Sequence, residues 1–182
     1  MKSNTYKLKS FEYLTVQLLN WHKEAVGGVN DFSKLKLLKL LFFASAVDAN
    51  PTNQGLLHIF DNFCAMPYGH VESTIYRKVK DCQRIEVLGH TTNINDVADN
   101  YFEEINEDIP NIEAAVKSLK AANPRLIRYK AFELVELSHL WQSWITTFNY
   151  ARSLNKLSEP IPVDIIILEP KILKLAANEL VS

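Results

Sequence analysis

The sequence KLLKLLFFA, from Lys36 to Ala44, carries the strongest structural signal in this chain. Lys36 and Lys39 are its only polar residues, so apolar side chains cover most of the circumference of a helix. Asp31 is a suitable N-cap before it, and Asn50-Pro51 is a suitable stop after it. We therefore predict a central, buried helix around which the rest of the chain folds.

Helical periodicity is also found on both sides of this segment. Residues 11–25 repeat apolar side chains three and four positions apart, and Gly27-Gly28 would end that helix. A further helix is predicted over residues 109–122, with a proline in its first turn. A longer helix is predicted over residues 126–154, with a kink at Ser138. The regular parts of the sequence thus favour helices.

The remaining segments are short, and their patterns are weaker. We predict a strand pair or a broken helix at 56–66, a turn at 67–69, an amphipathic segment at 71–79, a loop or hairpin at 90–100, a β-branched strand at VDIIIL (163–168), and a terminal helix after Pro170. The expected fold class is mainly α, in effect all-α. We expect residues 1–182 to form a single compact helical domain with a central buried helix, at most a small β element, and residues 155–182 packed on it as a C-terminal extension.

Composition and charge exclude several classes of protein. The first twenty residues lack the apolar core of a signal peptide, and the longest apolar run is too short to cross a bilayer. We therefore expect a cytoplasmic protein with no membrane partner. The net charge is −1, but residues 91–123 hold seven acids against two lysines. This acidic block is interpreted as a solvated surface, with a basic protein partner as the alternative.

Two cysteines and two histidines suggest a metal site, but their spacing does not support it. Cys64, His70, Cys82 and His90 are too widely separated for the tight ligand pairs of a structural zinc site. Cys64 also lies in an apolar run, which favours an inert, buried thiol over the nucleophile of a cysteine hydrolase. No known catalytic or phosphate-binding motif is present. We expect no enzyme activity, no metal and no cofactor.

A basic cluster gives the alternative function. It consists of Arg77, Lys78, Lys80 and Arg84, with Tyr76 as the only adjacent aromatic residue. Such a cluster could contact phosphates in a nucleic-acid-binding regulator, but four charges make a small footprint. A solvated helix face explains it as well, so nucleic acid is not the expected partner.

Three segments, taken in order, resemble a known family. They are KLLKLLFFA at 36–44, FCAMPYGHVESTIYRKVK at 63–80, and LVELSHLWQSW at 134–144. Together they are similar to the Panacea domain, also called the SocA-like or phage-associated domain, of bacterial antitoxins. The similarity extends over roughly residues 10–150. One position departs from the family pattern, because Gly-Pro-Val is Gly69-His70-Val71 here.

The resemblance implies a protein that binds and neutralises a small toxin encoded next to it, without catalysis. At least one family member resembles a proteolytic adaptor, so a AAA+ protease is a second implied partner. We expect the interface to combine exposed polar residues with aromatic anchors. The candidate partner-binding residues are Tyr68, Gly69, His70, Val71, Tyr76, Arg77, His139 and Trp144. The alternative interpretation places the tryptophans in the core and gives the turn at Tyr68 only a structural role.

Overall fold

A computed structural model of the chain describes residues 2–175. Helices alternate with short strands along this range. The helices are α1 (Asn4–Ala25), α2 (Lys34–Ala46), α3 (Ser73–Lys78), α4 (Ile109–Ala122), α5 (Ala131–His139), α6 (Gln142–Ser153) and α7 (Val163–Leu168). The strands are β1 (Phe63–Met66), β2 (Gly69–Glu72), β3 (Ile85–Leu88), β4 (Thr91–Ile94) and β5 (Glu159–Pro160).

Helix α2 lies at the centre of the molecule, packed against β2, α4 and α5. Its residues from Lys36 to Ala46 are buried, which follows from an apolar surface that extends around nearly the whole helix. The helix begins after Ser33, whose side chain accepts a hydrogen bond from the Lys36 amide. Asp31 was expected to be this N-cap, and that prediction is wrong because Asp31 pairs with the Lys36 ammonium group instead.

Two buried lysines of α2, Lys36 and Lys39, connect it to the rest of the fold. Lys36 Nζ lies 2.6 Å from Asp31 Oδ1 and donates to the carbonyl of Ile127 at 3.0 Å. Lys39 Nζ donates to the carbonyl of His70 in β2. Both side chains are fully buried, so each satisfies a buried carbonyl that would otherwise lack a donor.

The prediction of a mainly α fold with at most a small β element is wrong. The structure is 55% helical, but 11% of it is strand, arranged in two antiparallel sheets. One sheet has the order β2-β1-β5, and the other pairs β3 with β4. The strands are only two to four residues long, and β2 is buried along its whole length. Such strands lack the alternation of apolar and polar residues that identifies a strand in a sequence.

Three further segments differ from the sequence predictions. The long helix over 126–154 is two helices, α5 and α6, separated by Leu140 and Trp141, and its first residues form a 3-10 turn. The segment 71–79 divides into the end of β2 and α3, because Glu72 caps α3 by accepting from the Ile75 amide at 2.7 Å. The segment 90–100, predicted as a loop or hairpin, supplies only β4 to a hairpin whose other strand, β3, begins earlier, at Ile85.

The segment VDIIIL forms α7 and not the predicted strand. Pro162 precedes it, and proline suits the start of a helix because its φ is already helical. Ile166 is buried on one side while Leu168 is exposed, so tertiary packing has overridden β propensity. Residues 171–175 are not helical, and the rest of the predicted terminal helix lies outside the described residues.

The chain after α6 returns to the sheet and the central helices. Strand β5 pairs with β1 through Cys64↔Pro160 and Ala65↔Glu159. The indole nitrogen of Trp141 donates to the carbonyl of Ile172 at 2.8 Å. Within residues 2–175, no helix is both long enough and apolar enough to cross a membrane.

Candidate functional site

The turn between β1 and β2 is the feature around which several predicted site residues gather. Met66 pairs with Gly69, so Pro67 and Tyr68 form a two-residue loop. Trp144 Nε1 donates to the Met66 carbonyl at 2.8 Å, which fixes the loop to α6. Tyr68 is 57% exposed and projects beyond this anchored backbone.

Helix α5 completes a cluster of aromatic rings around the turn. The ring of Phe132 lies edge-on to Tyr68 with centroids 6.1 Å apart, and Phe132 is 64% exposed. At the other end of α5, the His139 ring stacks on Trp144 at 3.8 Å. Phe132 and His139 are seven residues apart and therefore share one face of the helix. We call Tyr68, Phe132, His139 and Trp144 the aromatic patch.

His70 lies directly behind the turn and is completely buried. Its ring stacks on Phe42 of α2 with centroids 3.6 Å apart. Its Nδ1 lies 2.8 Å from Ser138 Oγ and its Nε2 lies 2.7 Å from Ser143 Oγ. His70, a candidate partner-binding residue, is therefore not at the surface, because its ring lies against Phe42 of α2, Ser138 of α5 and Ser143 of α6.

The backbone of His70 also explains why histidine is compatible with this position. Its N–H, which proline would lack, donates to Ser138 Oγ at 3.1 Å. Burial lowers the pKa of His70 well below its usual value, and the positive charge of Lys39 lowers it further. A neutral ring protonated at Nε2 accepts from Ser138 and donates to Ser143, so every polar atom of His70 has a partner.

Lys39 is the most unusual charged residue beside the turn. Its Nζ donates to the His70 carbonyl, and no carboxylate of residues 2–175 pairs with it. Burial lowers its pKa from 10.5 to about 7. The two histidines near it, His70 and His139, both have a lowered pKa as well. The surroundings of the turn therefore favour neutral side chains.

The structure separates the predicted site residues into three groups. It brings Tyr68, His139 and Trp144 together at the surface. Gly69, His70 and Val71 are buried in β2 beneath them. Tyr76 and Arg77 lie on α3, where the Tyr76 ring is exposed with Lys34 Nζ 4.0 Å from its centroid, and Arg77 donates to the Ser73 carbonyl.

Phe132 is the member of the aromatic patch that sequence reasoning missed. The sequence did contain a signal for an exposed Phe132. This residue lies two positions before Leu134 and therefore outside the apolar stripe of α5. A large aromatic residue on the solvent side of an amphipathic helix indicates a contact surface. Its pairing with Tyr68, by contrast, depends on the tertiary structure.

The basic cluster is partly neutralised within the chain. Lys78 lies 3.8 Å from Asp81, and Arg84 donates to the Asn95 carbonyl and lies 4.0 Å from Asp96. These contacts reduce the charge that is free to meet phosphates. Nucleic-acid binding by residues 77–84 stays a prediction, and steep salt dependence of duplex binding would be its signature.

The acidic block is also engaged within the fold. Glu104 pairs with Lys9 of α1, and Glu107 pairs with Lys2, two residues before α1 begins. Burial alone would raise the pKa of Asp108, but hydrogen bonds from Tyr6, His58 and Asn111 outweigh burial and lower it to about 2. The block therefore helps to hold α4 against α1.

Neither cysteine has the surroundings of a reactive thiol. Cys64 is buried, and its sulfur accepts a hydrogen bond from Ser73 Oγ at 3.1 Å. Burial raises the pKa of Cys82, and the charges of Glu12 and Asp81 raise it further. Residues 2–175 contain no cluster of His, Cys, Asp and Glu that could hold a metal ion.

We predict slow thiol chemistry in the folded protein. Burial shields the Cys64 thiol, and the raised pKa of Cys82 leaves little of it as thiolate, so both cysteines should react with an aromatic disulfide reagent at pH 7.5 at least about tenfold more slowly than in denaturant. The time course of absorbance in the two conditions provides the measurement. A fast phase from Cys64 in the native state would contradict the prediction and revive the cysteine-hydrolase alternative.

Comparison with protein families identifies the class. The sequence model of the antitoxin SocA-like, Panacea domain family matches residues 37–145. This range covers more than half of the 182 residues and includes the whole aromatic patch. The chain belongs to the antitoxin SocA-like, Panacea domain family, which confirms the resemblance seen in the three sequence segments. Searches of curated proteins and of solved structures gave no match to the chain.

Proposed function

We propose that this protein is a non-enzymatic antitoxin. It binds a toxin encoded nearby directly through the aromatic patch and thereby neutralises the toxin. The observation that supports this is the exposure of Tyr68 and Phe132 on a rigidly held turn and helix. Family membership supplies the antitoxin-like role. On this proposal the protein acts in the cytoplasm, where its toxin is made.

The aromatic patch has the properties of an interface centre. Aromatic residues provide most of the energy at interface hot spots, where large rings enter pockets on the partner. The Trp144–Met66 hydrogen bond and the stacking of His139 on Trp144 hold the turn in place before a partner arrives. Little conformational entropy is then lost on binding, which favours affinity.

The charge around the patch suggests the character of the toxin surface. Glu133 and Glu136 are exposed on α5 beside Phe132, and they are the acids nearest to it along the helix. A basic rim around an apolar pocket on the toxin would complement this arrangement. Such rim charges raise the association rate more than the affinity.

Alanine at both exposed rings should weaken toxin binding strongly. We expect the Tyr68→Ala, Phe132→Ala double variant to bind the product of the neighbouring reading frame about 100-fold more weakly, since two anchors lose their pockets. Stability should change little, because both rings are exposed. Titration calorimetry measures the affinity, and co-expression scored by growth measures neutralisation.

Tyr150→Ala provides the matched control for this experiment. Tyr150 is 58% exposed on α6, and its position two residues after Phe148 directs it away from the Trp144–Phe148 stack. The Tyr150→Ala variant should bind and neutralise the toxin like the wild type. Equal losses in the control and the double variant, or full neutralisation by the double variant, would refute the role of the aromatic patch.

Proteolytic delivery is the second form of the proposal. An adaptor would bind the toxin through the same patch and present it to a AAA+ protease, so the toxin would disappear as well as being inhibited. Toxin half-life in cells with and without the antitoxin separates the two forms. An unchanged half-life with restored growth supports neutralisation by binding alone.

A further inference from the structure

The two edges of the β3–β4 hairpin differ in a way that indicates a second binding site. The outer edge of β4 is occupied by Asn30. Its Nδ2 donates to the Thr92 carbonyl and its Oδ1 accepts from the Thr92 amide, both at 3.0 Å. Thr92 Oγ1 also donates to the Phe32 carbonyl at 2.6 Å. The outward backbone groups of Thr92, the residue opposite Val87, are therefore satisfied by the chain itself.

The outer edge of β3 is open. A two-residue turn joins Leu88 to Thr91, so Leu88 and Glu86 are the β3 residues whose backbone groups face β4. The next bond in this series, from the Asn95 amide to the Arg84 carbonyl at 2.8 Å, agrees with that register. The N–H and C=O groups of Ile85 and Val87 consequently point away from β4, and they have no hydrogen-bond partner among residues 2–175. Ile85 is only 2% exposed, so Val87 is the β3 residue whose outward groups a partner can reach.

A groove of about 570 Å³ runs along this open edge. Every residue from Ile85 to Gly89 lines it on one side. Lys34, Val79, Lys80, Cys82 and Asn95 also line it, so apolar side chains and two ammonium groups contribute to the same groove. Glu86 is the acid that lines the groove, against two lysines.

The lysines of the groove are available to a ligand. Lys34 lies 4.0 Å above the ring of Tyr76, and within the described residues neither Lys34 nor Lys80 forms an ion pair. Free donors and acceptors on a strand, with unpaired positive charge beside them, complement an extended chain that carries carboxylates.

We propose that the open edge of β3 binds an extended, acidic segment of a second protein partner, which adds a third strand to the hairpin. The backbone N–H and C=O of Val87 bind the segment, and Lys34 and Lys80 select its acidic side chains. This site goes beyond toxin neutralisation, since it uses none of the aromatic patch. A second copy of this chain is a poorer occupant, because pairing two β3 edges would bring the lysines of both copies together.

A peptide with selectively methylated amides tests the strand pairing directly. The probe is a fluorescein-labelled nine-residue peptide of alternating valine and glutamate. N-methyl groups on one alternating set of its amides face β3 and block pairing, while those on the other set face solvent. We expect one methylated peptide to lose at least about tenfold in affinity and the other to bind like the parent. Equal affinity of all three peptides would overturn the proposal.

Variants of the protein test the same contact from the other side. Val87→Pro removes an outward N–H without removing a bond to β4, so we expect the hairpin to persist and peptide affinity to fall about tenfold. Lys80→Glu should weaken peptide binding several-fold at low salt. Lys117→Glu is the control, because it makes the same change of charge at an exposed position on α4. In the wild type, the Val87 amide should exchange its hydrogen more slowly once peptide is bound. Unchanged exchange at Val87 would overturn the proposal even if a variant failed to fold.

Two other occupants of the groove would give distinct results in these experiments. Duplex DNA that competes with the peptide and binds Val87→Pro normally would assign the groove to phosphate contacts. Self-association of the free protein that Val87→Pro abolishes would assign it to a second copy. Either result would overturn the proposal, and neither depends on whether the aromatic patch binds a toxin.

Discussion

Replacing Gly69 with alanine should lower the free energy of unfolding by about 4 kcal/mol. Gly69 has φ +92, a conformation that residues with a side chain rarely adopt, and holding it costs about 1–3 kcal/mol. A methyl group there would also meet Ser138 Cβ at 2.9 Å and Lys39 Nζ at 3.1 Å. Because these neighbours are themselves buried, the overpacking should add about 1–3 kcal/mol.

Gly28→Ala separates the backbone cost from the packing cost. Gly28 also has a positive φ, +65, but no atom lies within 4 Å of the position that its Cβ would occupy. Its substitution should cost about 1 kcal/mol from backbone conformation alone. Denaturant unfolding with linear extrapolation measures both variants. Equal losses in the two would show that the turn moves to accommodate the methyl group and that Ser138 and Lys39 do not restrain it.

The stability of the protein should rise with pH through the titration of Lys39. Its folded pKa, about 7, lies below the ordinary value of 10.5. The unfolded chain therefore binds more protons than the folded chain between these values, and stability increases with pH there. Above pH 10.5 the amine is neutral in both states and the penalty vanishes. Below pH 7 the penalty is at its largest and constant.

Lys39→Met isolates this effect from the other titrating groups. Methionine fills a similar volume without a charge, and it leaves the His70 carbonyl without its donor at every pH. The wild-type free energy of unfolding minus that of the variant should increase by about 3–4 kcal/mol between pH 7 and pH 10. Cys82 and the tyrosines titrate in both proteins, so their contributions cancel in the difference.

Denaturant titrations at pH 7, 8, 9 and 10 measure the increase. Lys117→Met provides the control, because Lys117 is exposed on α4 and its loss should leave the pH profile parallel to that of the wild type. Parallel profiles for Lys39→Met as well would mean that the buried ammonium group keeps its ordinary pKa through contacts other than the His70 carbonyl.

These two residues act on the same turn. Gly69 permits the close approach of β2 to α5, and Lys39 binds the carbonyl of the next residue. The backbone beneath Tyr68 is thereby held from the core side, while Trp144 holds it from the α6 side. A rigid presentation of Tyr68 follows, which is what the proposed toxin contact requires.

Part of this structure could be predicted from the sequence because its signals are local. The apolar segment from Lys36 to Ala44 predicts a buried central helix, since a helix that is apolar on nearly all sides is stable only when covered. The order of three short segments identified the family. The short strands could not be predicted in the same way, because four residues are too few to establish a period and β2 is buried throughout.

The candidate site shows the same division residue by residue. The sequence by itself predicted α1, α2 and α4 and named Tyr68, His139 and Trp144 as candidate partner-binding residues. Only the tertiary structure decided that His70 lies inside between Ser138 and Ser143, that Phe132 pairs with Tyr68, and that Val87 in β3 is unpaired while Asn30 pairs with Thr92 in β4. The physical reason is the range of the interactions. Helical periodicity depends on neighbours three and four residues apart, whereas these contacts join residues about 60 or more positions apart, and no local pattern specifies them.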